Sequence, residues 1–248
     1  MANYKNILTH VKTNEGGYSA DPRDSQSKNP SDVKGLDKRY PTLPVHTYRG
    51  VAYSTWVAYA KKKGFTPTGK NFVSMTLAQW ENLLKTLYWD AIYGDNIKSQ
   101  GVAEILFEAI WGGGSKNLVI DLQTYLRKKG FNISVDGAMG KNTYTALNDY
   151  TTKSNKNETD IVKYLTAERL KYLQSLSVWS TYSKGWTRRL YEIQDQALKY
   201  VTENPIKTGG AVVGLLLLGA GYYFLSKGGF TKIVGWKQVH LTCWLSAH

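Results

Sequence analysis

The sequence predicts a mainly α-helical fold that ends in a C-terminal transmembrane helix. Apolar residues recur every three to four positions over most of the chain up to about residue 201, which is the spacing of amphipathic helices. Strand signals are few and short, and they concentrate around residues 131–135. A stretch of 19 residues, 208–226, carries no charged side chain and differs from everything before it. These three observations set the fold class.

The first helix is predicted at the N-terminus, where one helical face is apolar. Four residues form that face: Tyr4, Ile7, Leu8 and Val11. Gly16 and Gly17 terminate the helix, because glycine adopts the left-handed capping conformation at little cost. A long loop follows over residues 19–50, which are rich in proline, serine and aspartate. Loops of this length are uncommon in compact domains and often carry function.

Seven further helices are predicted between residues 52 and 201. Thr76 is the predicted N-cap of the second of them, because a threonine hydroxyl can accept a hydrogen bond from the first helical turn. The predicted helices cover residues 52–63, 77–88, 101–111, 118–129, 142–150, 159–176 and 182–201. The chain before residue 208 is therefore expected to be mostly helical.

Residues 208–226 are predicted to form a single-pass transmembrane helix. At about 1.5 Å per residue they would span roughly 28 Å, close to the hydrocarbon thickness of a bilayer. Gly210 and Gly214 lie on a small-residue face that would allow such helices to self-associate. Tyr222 and Tyr223 suit a membrane interface. Lysines flank both ends, so the orientation in the membrane stays open.

This helix also sets the expected localisation. Residues 1–11 contain no continuous apolar stretch, so no signal peptide is predicted. The chain is therefore expected to be anchored in a membrane through its C-terminal span, with lipid as a partner. Residues 227–248 would form an aromatic and basic tail at that membrane.

Composition narrows the classes of function. The formal net charge of +13 favours a polyanionic partner such as nucleic acid, anionic lipid or an anionic cell envelope. No long basic arm or zinc-finger spacing occurs, so nucleic acid is not expected. The four histidines lack metal-ligand spacing and Cys243 is the one cysteine, so we expect chemistry without a metal or another cofactor. Aromatic residues, at 13%, either stack on sugar rings or fill the core.

Glu15 is the residue whose position most favours a chemical role. It follows the first predicted helix at its C-terminal end, where the helix macrodipole disfavours a carboxylate. That placement would raise the pKa of Glu15, as a general acid near neutral pH requires. Asp24, nine positions later in a polar loop, could supply the second carboxylate of a glycoside hydrolase. From spacing alone, the alternative that both are surface charges beside a turn stays open.

A run of ten residues carries a resemblance to a known family. This run, Glu15-Gly16-Gly17-Tyr18-Ser19-Ala20-Asp21-Pro22-Arg23-Asp24, resembles the signature of the glycoside hydrolase 108 family. Its members are phage and bacterial N-acetylmuramidases, often described as secretion activators. The family motif continues with Gly-Gly-x-Thr and a further Gly, and Thr47 and Gly50 match the Thr and that last Gly.

Three later segments extend the resemblance, which covers roughly residues 3–192. The first joins Tyr88-Trp89-Asp90 to Gly94-Asp95. The second, Val135-Asp136-Gly137-Ala138-Met139-Gly140-Lys141-Asn142-Thr143, resembles the core of the peptidoglycan-binding region that follows the catalytic segment in this family. The third is the closing Gly185-Trp186-Thr187-Arg188-Arg189.

The resemblance implies a domain organisation and a set of site residues. It implies a lysozyme-like catalytic region over residues 1–96 with a peptidoglycan-binding-like helical region, 97–192, packed on it, and a helix end and linker over 193–207. Glu15 would be the catalytic acid, with Asp24 and Thr47 orienting the attacking water. Substrate contacts are expected from Tyr18, Tyr48, Trp89 and Asp136. The Asp136-Gly137 pair is equally compatible with a tight structural turn.

The implied activity is hydrolysis of the β-1,4 bond between N-acetylmuramic acid and N-acetylglucosamine in peptidoglycan. The resemblance also implies an endolysin-like phage or virion origin, which would place the C-terminal span in a host inner membrane or in the membrane of a phage particle. The chain departs from the family in one respect: residues 25–46 replace the Gly-Gly of the motif. Whether Asp24 and Thr47 reach one cleft therefore depends on how this insertion folds. Two alternatives stay open: a catalytically inactive peptidoglycan-binding anchor, and a binder of anionic surfaces driven by charge alone.

Overall fold

The computed structural model describes residues 1–14 and 17–203, and beyond them four strands between residues 215 and 240. The helices described up to residue 203 are α1 (Tyr4–Asn14), α2 (Tyr53–Lys63), α3 (Gly69–Val73), α4 (Leu77–Leu84), α5 (Gln100–Trp111), α6 (Ser115–Lys128), α7 (Lys141–Thr151), α8 (Asn155–Ser175) and α9 (Trp179–Glu203). Three short strands, β1 (Tyr18–Ser19), β2 (Thr47–Tyr48) and β3 (Val51–Ala52), form one antiparallel sheet. The mainly helical fold class is confirmed.

The helices predicted from apolar spacing are all present, with ends shifted by a few residues. Thr76 caps α4 as expected, because its hydroxyl accepts a hydrogen bond from the Gln79 N–H at 3.2 Å and the Gln79 side chain accepts one from the Thr76 N–H. The helix predicted to reach residue 88 changes at Lys85 into a π-helical turn that ends at Trp89. Residues 131–135 form no strand; Phe131 and Ile133 instead pack on the core from an irregular connection.

The predicted transmembrane helix is wrong. Within residues 208–226, the chain forms two strands, β4 (Leu215–Leu218) and β5 (Gly221–Ser226), and these pair antiparallel with each other. Strands β6 (Gly229–Val234) and β7 (Lys237–His240) complete a sheet in the order β4-β5-β6-β7, where an interfacial tail was expected. Residues 208–214 lie outside the described residues.

The composition of this segment explains the difference. Aromatic residues such as Tyr222, Tyr223 and Phe224 favour strands, and glycine is among the poorest helix formers. In the described part of the chain, no helix has both the length and the apolar character needed to cross a membrane. The expected single-pass anchor in an inner membrane or phage membrane, its lipid contact and its small-residue face for self-association all depended on that helix, and none of them is supported.

Helix α5 forms the centre of the helical body. All nine residues from Gly101 to Ala109 are buried, and the helix packs against α6, α8 and α9. A helix that is buried on every side must be largely apolar, and this one contains Val102, Ile105 and Leu106. Burial of this apolar surface provides the main driving force for packing α5 against α6, α8 and α9.

A buried ion network fixes α5 against the C-terminal helices. Glu108 on α5 accepts hydrogen bonds from Arg169 Nε at 2.6 Å and from Arg189 Nη2 at 2.9 Å. Arg169 also donates to the Gly113 carbonyl. Burial alone would raise the pKa of Glu108, but the two arginines hold that pKa below its usual value. Glu108 is thus ionised and has a structural role, since it joins α5 to α8 and α9.

The N-terminus fastens α1 to the start of α5. The Ala2 N–H donates to the Ile97 carbonyl at 2.7 Å, and the Asn3 N–H donates to the Gln100 side chain. Tyr4 donates its hydroxyl hydrogen bond to the Glu81 carbonyl at 2.6 Å. These contacts fix the position of α1. Glu15 and Gly16 lie outside the described residues.

Replacing Arg169 with alanine tests the ion network. The change leaves the Glu108 carboxylate buried with half of its cationic partners, so we expect Arg169→Ala to lower the free energy of unfolding by about 3–5 kcal/mol. Urea denaturation followed by tryptophan fluorescence measures it. Lys171→Ala is the control, since that lysine forms an exposed pair with Glu168 and should cost less than about 1 kcal/mol. Equal, small losses in both variants would contradict the proposed role.

Candidate active site

The sheet β1-β2-β3 lies immediately after the segment that contains Glu15. Ser19 pairs with Thr47 and Tyr18 pairs with Tyr48 in antiparallel register. Strand β2 then pairs with β3 across a tight turn. The register therefore places Thr47 opposite Ser19, although 28 positions separate these two residues in the sequence.

The turn between β2 and β3 is clamped to its surroundings. Arg49 and Gly50 have φ values of +49° and +71°, as a two-residue type I′ hairpin turn requires. A non-glycine residue in this region costs about 1–3 kcal/mol and persists only where its neighbours enforce it. The Arg49 N–H donates to the Gly17 carbonyl at 3.3 Å, and the Arg49 carbonyl accepts from Trp80 Nε1 at 2.9 Å. The tip of the hairpin is thus held against Gly17 and α4.

The insertion at residues 25–46 folds back on itself and returns the chain to the sheet. The buried Ser31 donates from both its N–H and its hydroxyl to the Val45 carbonyl, at 2.9 and 2.7 Å. The Val45 N–H donates to the Val33 carbonyl at 2.8 Å, and the Val45 side chain is fully buried. This compact loop brings its last residue, His46, directly beside β1, where the His46 N–H donates to the Ser19 carbonyl.

Asp37 is the second point at which the insertion is tied to β1. Its carboxylate accepts a hydrogen bond from the Ala20 N–H at 3.0 Å and pairs with Arg39 at 2.9 Å. The hydrogen bond from the Arg39 side chain is the main reason that the pKa of Asp37 falls from its usual 3.8 to about 2. The folded protein therefore stabilises the ionised form of Asp37.

Asp24 directly precedes the insertion and caps a short 3₁₀ turn, Ser25–Lys28. One carboxylate oxygen, Oδ1, accepts a hydrogen bond from the Gln26 N–H at 2.9 Å. Gln26 in turn accepts a hydrogen bond from Ser54 in the first turn of α2. A carboxylate can accept about four hydrogen bonds, so capping leaves capacity for a water molecule. The turn that carries Asp24 is thereby linked to the helix that follows β3.

His46 is the site residue that the sequence did not predict. Its side chain is buried, with Nδ1 at 2.9 Å from the Thr47 hydroxyl oxygen and Nε2 at 3.1 Å from the Asp21 carbonyl oxygen. The ring therefore connects the turn that leads to Asp24 with Thr47. His46 has no metal-ligand spacing to the other histidines. The sequence signal for its role is its position directly before Thr47.

Tyr18 and Tyr48 are brought together by the same register. Their rings stack with centroids 4.5 Å apart, and both residues are half-buried. The Tyr18 hydroxyl donates to the Val73 carbonyl at 3.0 Å, and Tyr48 accepts a hydrogen bond from Arg49 Nε. Burial, and then the neighbouring Tyr48, raise the pKa of Tyr18. The stacked pair lies on the face of the sheet that packs against the buried Phe72.

Trp89 and Asp136 lie in other parts of the fold. Trp89 is fully buried in the core and donates its indole N–H to Asp95 at 2.7 Å, so it has no surface to offer a glycan. Asp136 lies between α6 and α7, where it accepts hydrogen bonds from the Ala138 N–H and from the buried Gln123 side chain. These contacts are those of a tight structural turn, which was the alternative to substrate contact for Asp136.

Comparison with known proteins agrees with this description. Residues 8–114 match the family model of glycosyl hydrolase 108, and residues 117–191 match that of a predicted peptidoglycan domain. The resemblance found in the sequence is thereby confirmed, and the two domains together support a peptidoglycan-hydrolase type of function with peptidoglycan as the partner. No curated protein sequence matches the chain significantly.

Among solved structures, SagA of Brucella abortus has the same fold. The two chains superpose with a TM-score of 0.60 at 22% sequence identity, over 81% of this chain and 97% of SagA. At this identity the likeness concerns the fold alone. None of these findings bears on a phage or virion origin.

The depressed pKa of Asp37 predicts how the insertion depends on pH. Because its folded-state pKa lies below the unfolded value, Asp37 stabilises the fold fully above about pH 4, and this contribution is lost as the pH falls towards about 2. The difference in unfolding free energy between wild type and Asp37→Asn should therefore be constant from about pH 5 to 7 and shrink below about pH 4. Urea titrations at several pH values measure it. A difference that grows at low pH would contradict this assignment.

Proposed function

Because the chain joins a glycosyl hydrolase 108 domain to a predicted peptidoglycan domain, we propose that it is an N-acetylmuramidase. Its substrate is the β-1,4 bond between N-acetylmuramic acid and N-acetylglucosamine in peptidoglycan. The net charge of +13 suits an anionic cell envelope. The catalytic centre of this proposal lies at the junction of α1 with the sheet β1-β2-β3.

Glu15 is the proposed general acid. It follows the last residue of α1, Asn14, and precedes Gly17, whose carbonyl is bound by Arg49 at the hairpin tip. The negative end of the α1 macrodipole favours the protonated form of a carboxyl group at this position. The protonated Glu15 delivers its proton to the glycosidic oxygen as the bond to the anomeric carbon breaks, and the developing oxocarbenium ion is then open to water.

Asp24 and Thr47 are the proposed partners that hold the attacking water. The Asp24 carboxylate acts as the base that accepts a proton from the water, and the Thr47 hydroxyl fixes the position of the water oxygen. This arrangement places a water molecule between the acid and the base, which is the geometry of an inverting glycosidase. The contact of Tyr18 and Tyr48 with a sugar ring stays a prediction of the family resemblance, because both side chains lie on the face of the sheet opposite to that of Thr47.

One observation carries the proposal: the register that pairs Ser19 with Thr47. The family motif has a short Gly-Gly connection between the aspartate and the threonine, and this chain has 22 other residues there, 25–46. The insertion nevertheless closes on itself and delivers Thr47 to the strand beside β1. This pairing supports a role for Thr47 beside β1 in spite of the departure in sequence.

A second candidate is a peptidoglycan-binding protein without catalytic activity. The observation in its favour is that Asp24 already uses one carboxylate oxygen to cap the 3₁₀ turn. Such a protein would bind purified sacculi and release no reducing ends. The same assay therefore separates the two candidates.

Glu15→Gln is the direct test of the proposed acid. An amide cannot donate the proton at the required step, so release of reducing ends from purified peptidoglycan should fall by roughly 100- to 10,000-fold. Glu192→Gln, an exposed glutamate on α9, is the matched control and should retain wild-type activity. Undiminished release by Glu15→Gln would rule out Glu15 as the acid, and a new glucosamine reducing end in place of muramic acid would show that the bond is wrongly assigned.

The anomeric form of the first product tests the water geometry. Inversion at a β-linked bond releases the α-anomer, whereas retention releases the β-anomer. Proton NMR of a soluble peptidoglycan fragment during the first turnovers, before mutarotation, should therefore detect the α-anomer of the new reducing end. An initial β-anomer would require a covalent intermediate and would exclude the roles given to Asp24 and Thr47.

A further inference from the structure

His46 has a geometry that determines the direction of one hydroxyl hydrogen. A buried imidazole has two nitrogens to satisfy, and here both have partners: the Asp21 carbonyl at Nε2 and the Thr47 hydroxyl at Nδ1. A carbonyl oxygen can only accept a hydrogen bond, so Nε2 must carry the hydrogen. In the neutral ring, Nδ1 is then an acceptor, and the Thr47 hydroxyl donates to it.

We infer that His46 is a positioning residue that turns the Thr47 hydroxyl so that its lone pairs, and not its hydrogen, are presented to the attacking water. This inference rests on the proposed function, in which Thr47 holds that water. The observation that supports it is a chain of two hydrogen bonds, which runs from the Asp21 carbonyl through the imidazole to the Thr47 hydroxyl.

The direction of the hydroxyl matters for the nucleophile. A water molecule has two hydrogens to donate and two lone pairs. If it donates one hydrogen to Thr47 Oγ1 and the other to the Asp24 carboxylate, both of its lone pairs stay free, and one can attack the anomeric carbon. A threonine that donated its hydrogen to the water would instead occupy a lone pair and make the water a weaker nucleophile.

The backbone around His46 keeps the ring in place. The His46 N–H donates to the Ser19 carbonyl at 3.0 Å, and the His46 carbonyl accepts from the Tyr53 N–H at 2.8 Å. The preceding Val45 is fully buried. These bonds fix the main chain at His46, and the burial of the ring and its two hydrogen bonds hold the imidazole between the Asp21 carbonyl and Thr47. The orientation of Thr47 is therefore prepared before substrate binds, which is the condition under which positioning lowers a barrier.

A purely structural role makes a different prediction. In that case the bond from Nε2 to the Asp21 carbonyl would matter, as a tie between the turn and the sheet, and the bond from Thr47 would be incidental. Two substitutions separate the roles. The shorter His46→Asn keeps an acceptor oxygen near the position of Nδ1, whereas His46→Gln keeps an N–H donor near the position of Nε2.

Steady-state kinetics of the full chain on soluble peptidoglycan fragments gives the first readout. We expect His46→Gln to lower kcat by roughly 10- to 100-fold with little change in KM, because the substrate still binds while the water is misoriented. His46→Asn should retain more of the wild-type kcat than His46→Gln. The reverse order would overturn the inference in favour of a structural tie.

A double-mutant cycle with Thr47→Val gives the decisive readout. Valine keeps the shape of threonine and removes the hydroxyl, so in this background His46 has nothing left to orient. We expect His46→Gln to cause no further loss of kcat in Thr47→Val. If the two losses multiply, or if Thr47→Val alone has wild-type kcat, His46 does not act through Thr47 and the inference is overturned.

The same set separates this inference from the proposed function. One outcome overturns only the role of His46: Glu15→Gln loses activity, but the kcat losses of His46→Gln and Thr47→Val multiply. A wild-type protein that releases no reducing ends overturns the proposed function and the inference with it. Nitrogen-15 NMR of the wild type adds a signature independent of turnover: Nε2 should be protonated and Nδ1 unprotonated, and the opposite tautomer would overturn the inference.

Discussion

The pairing of Ser19 with Thr47 is the constraint on which the candidate site depends. Each of these strands has only two residues, and such a short sheet is marginal without support from outside. The support comes from the ends: Asp37 binds the chain just after β1, and Trp80 binds the turn after β2. Since neighbouring residues of a strand face opposite sides, a slip of one residue would turn Thr47 away from its present face.

The two domains are held in a fixed relation by a different kind of interaction. Glu108 lies within the glycosyl hydrolase 108 match, and both of its arginine partners lie within the predicted peptidoglycan domain. A buried charge that finds its partners across a domain boundary opposes any opening between them, because separation would leave it unpaired. The two matched regions therefore keep a defined orientation relative to each other at this contact.

Much of the fold could be predicted from local patterns. Helix positions followed from apolar spacing, and the cap at Thr76 followed from its residue type, because both are determined within a few neighbouring residues. The fold stacks Tyr18 on Tyr48, whereas their predicted contact with substrate stays a prediction. The sheet itself could not be predicted, since its register depends on contacts between residues about 30 positions apart.

The errors also have physical causes. Trp89 resembled a sugar-stacking residue, but residue type alone cannot distinguish a surface ring from one that is fully buried. The uncharged stretch 208–226 has the length of a membrane span, but hydropathy does not register that its tyrosines favour strands and that its glycines disfavour helices. The role of His46 could not be predicted because the ring meets the Asp21 carbonyl and the Thr47 hydroxyl together only after the insertion has folded.

The central claim is that peptidoglycan binds where α1, β1 and β2 meet. Amide NMR of the full-length Glu15→Gln variant, titrated with a soluble muramic-acid-containing glycan fragment, tests it most directly. The account predicts that the largest chemical-shift changes occur at Ser19, Asp24, Thr47 and Tyr48 and saturate together. Saturable changes confined to residues outside this junction, with none at Ser19 or Thr47, would contradict it.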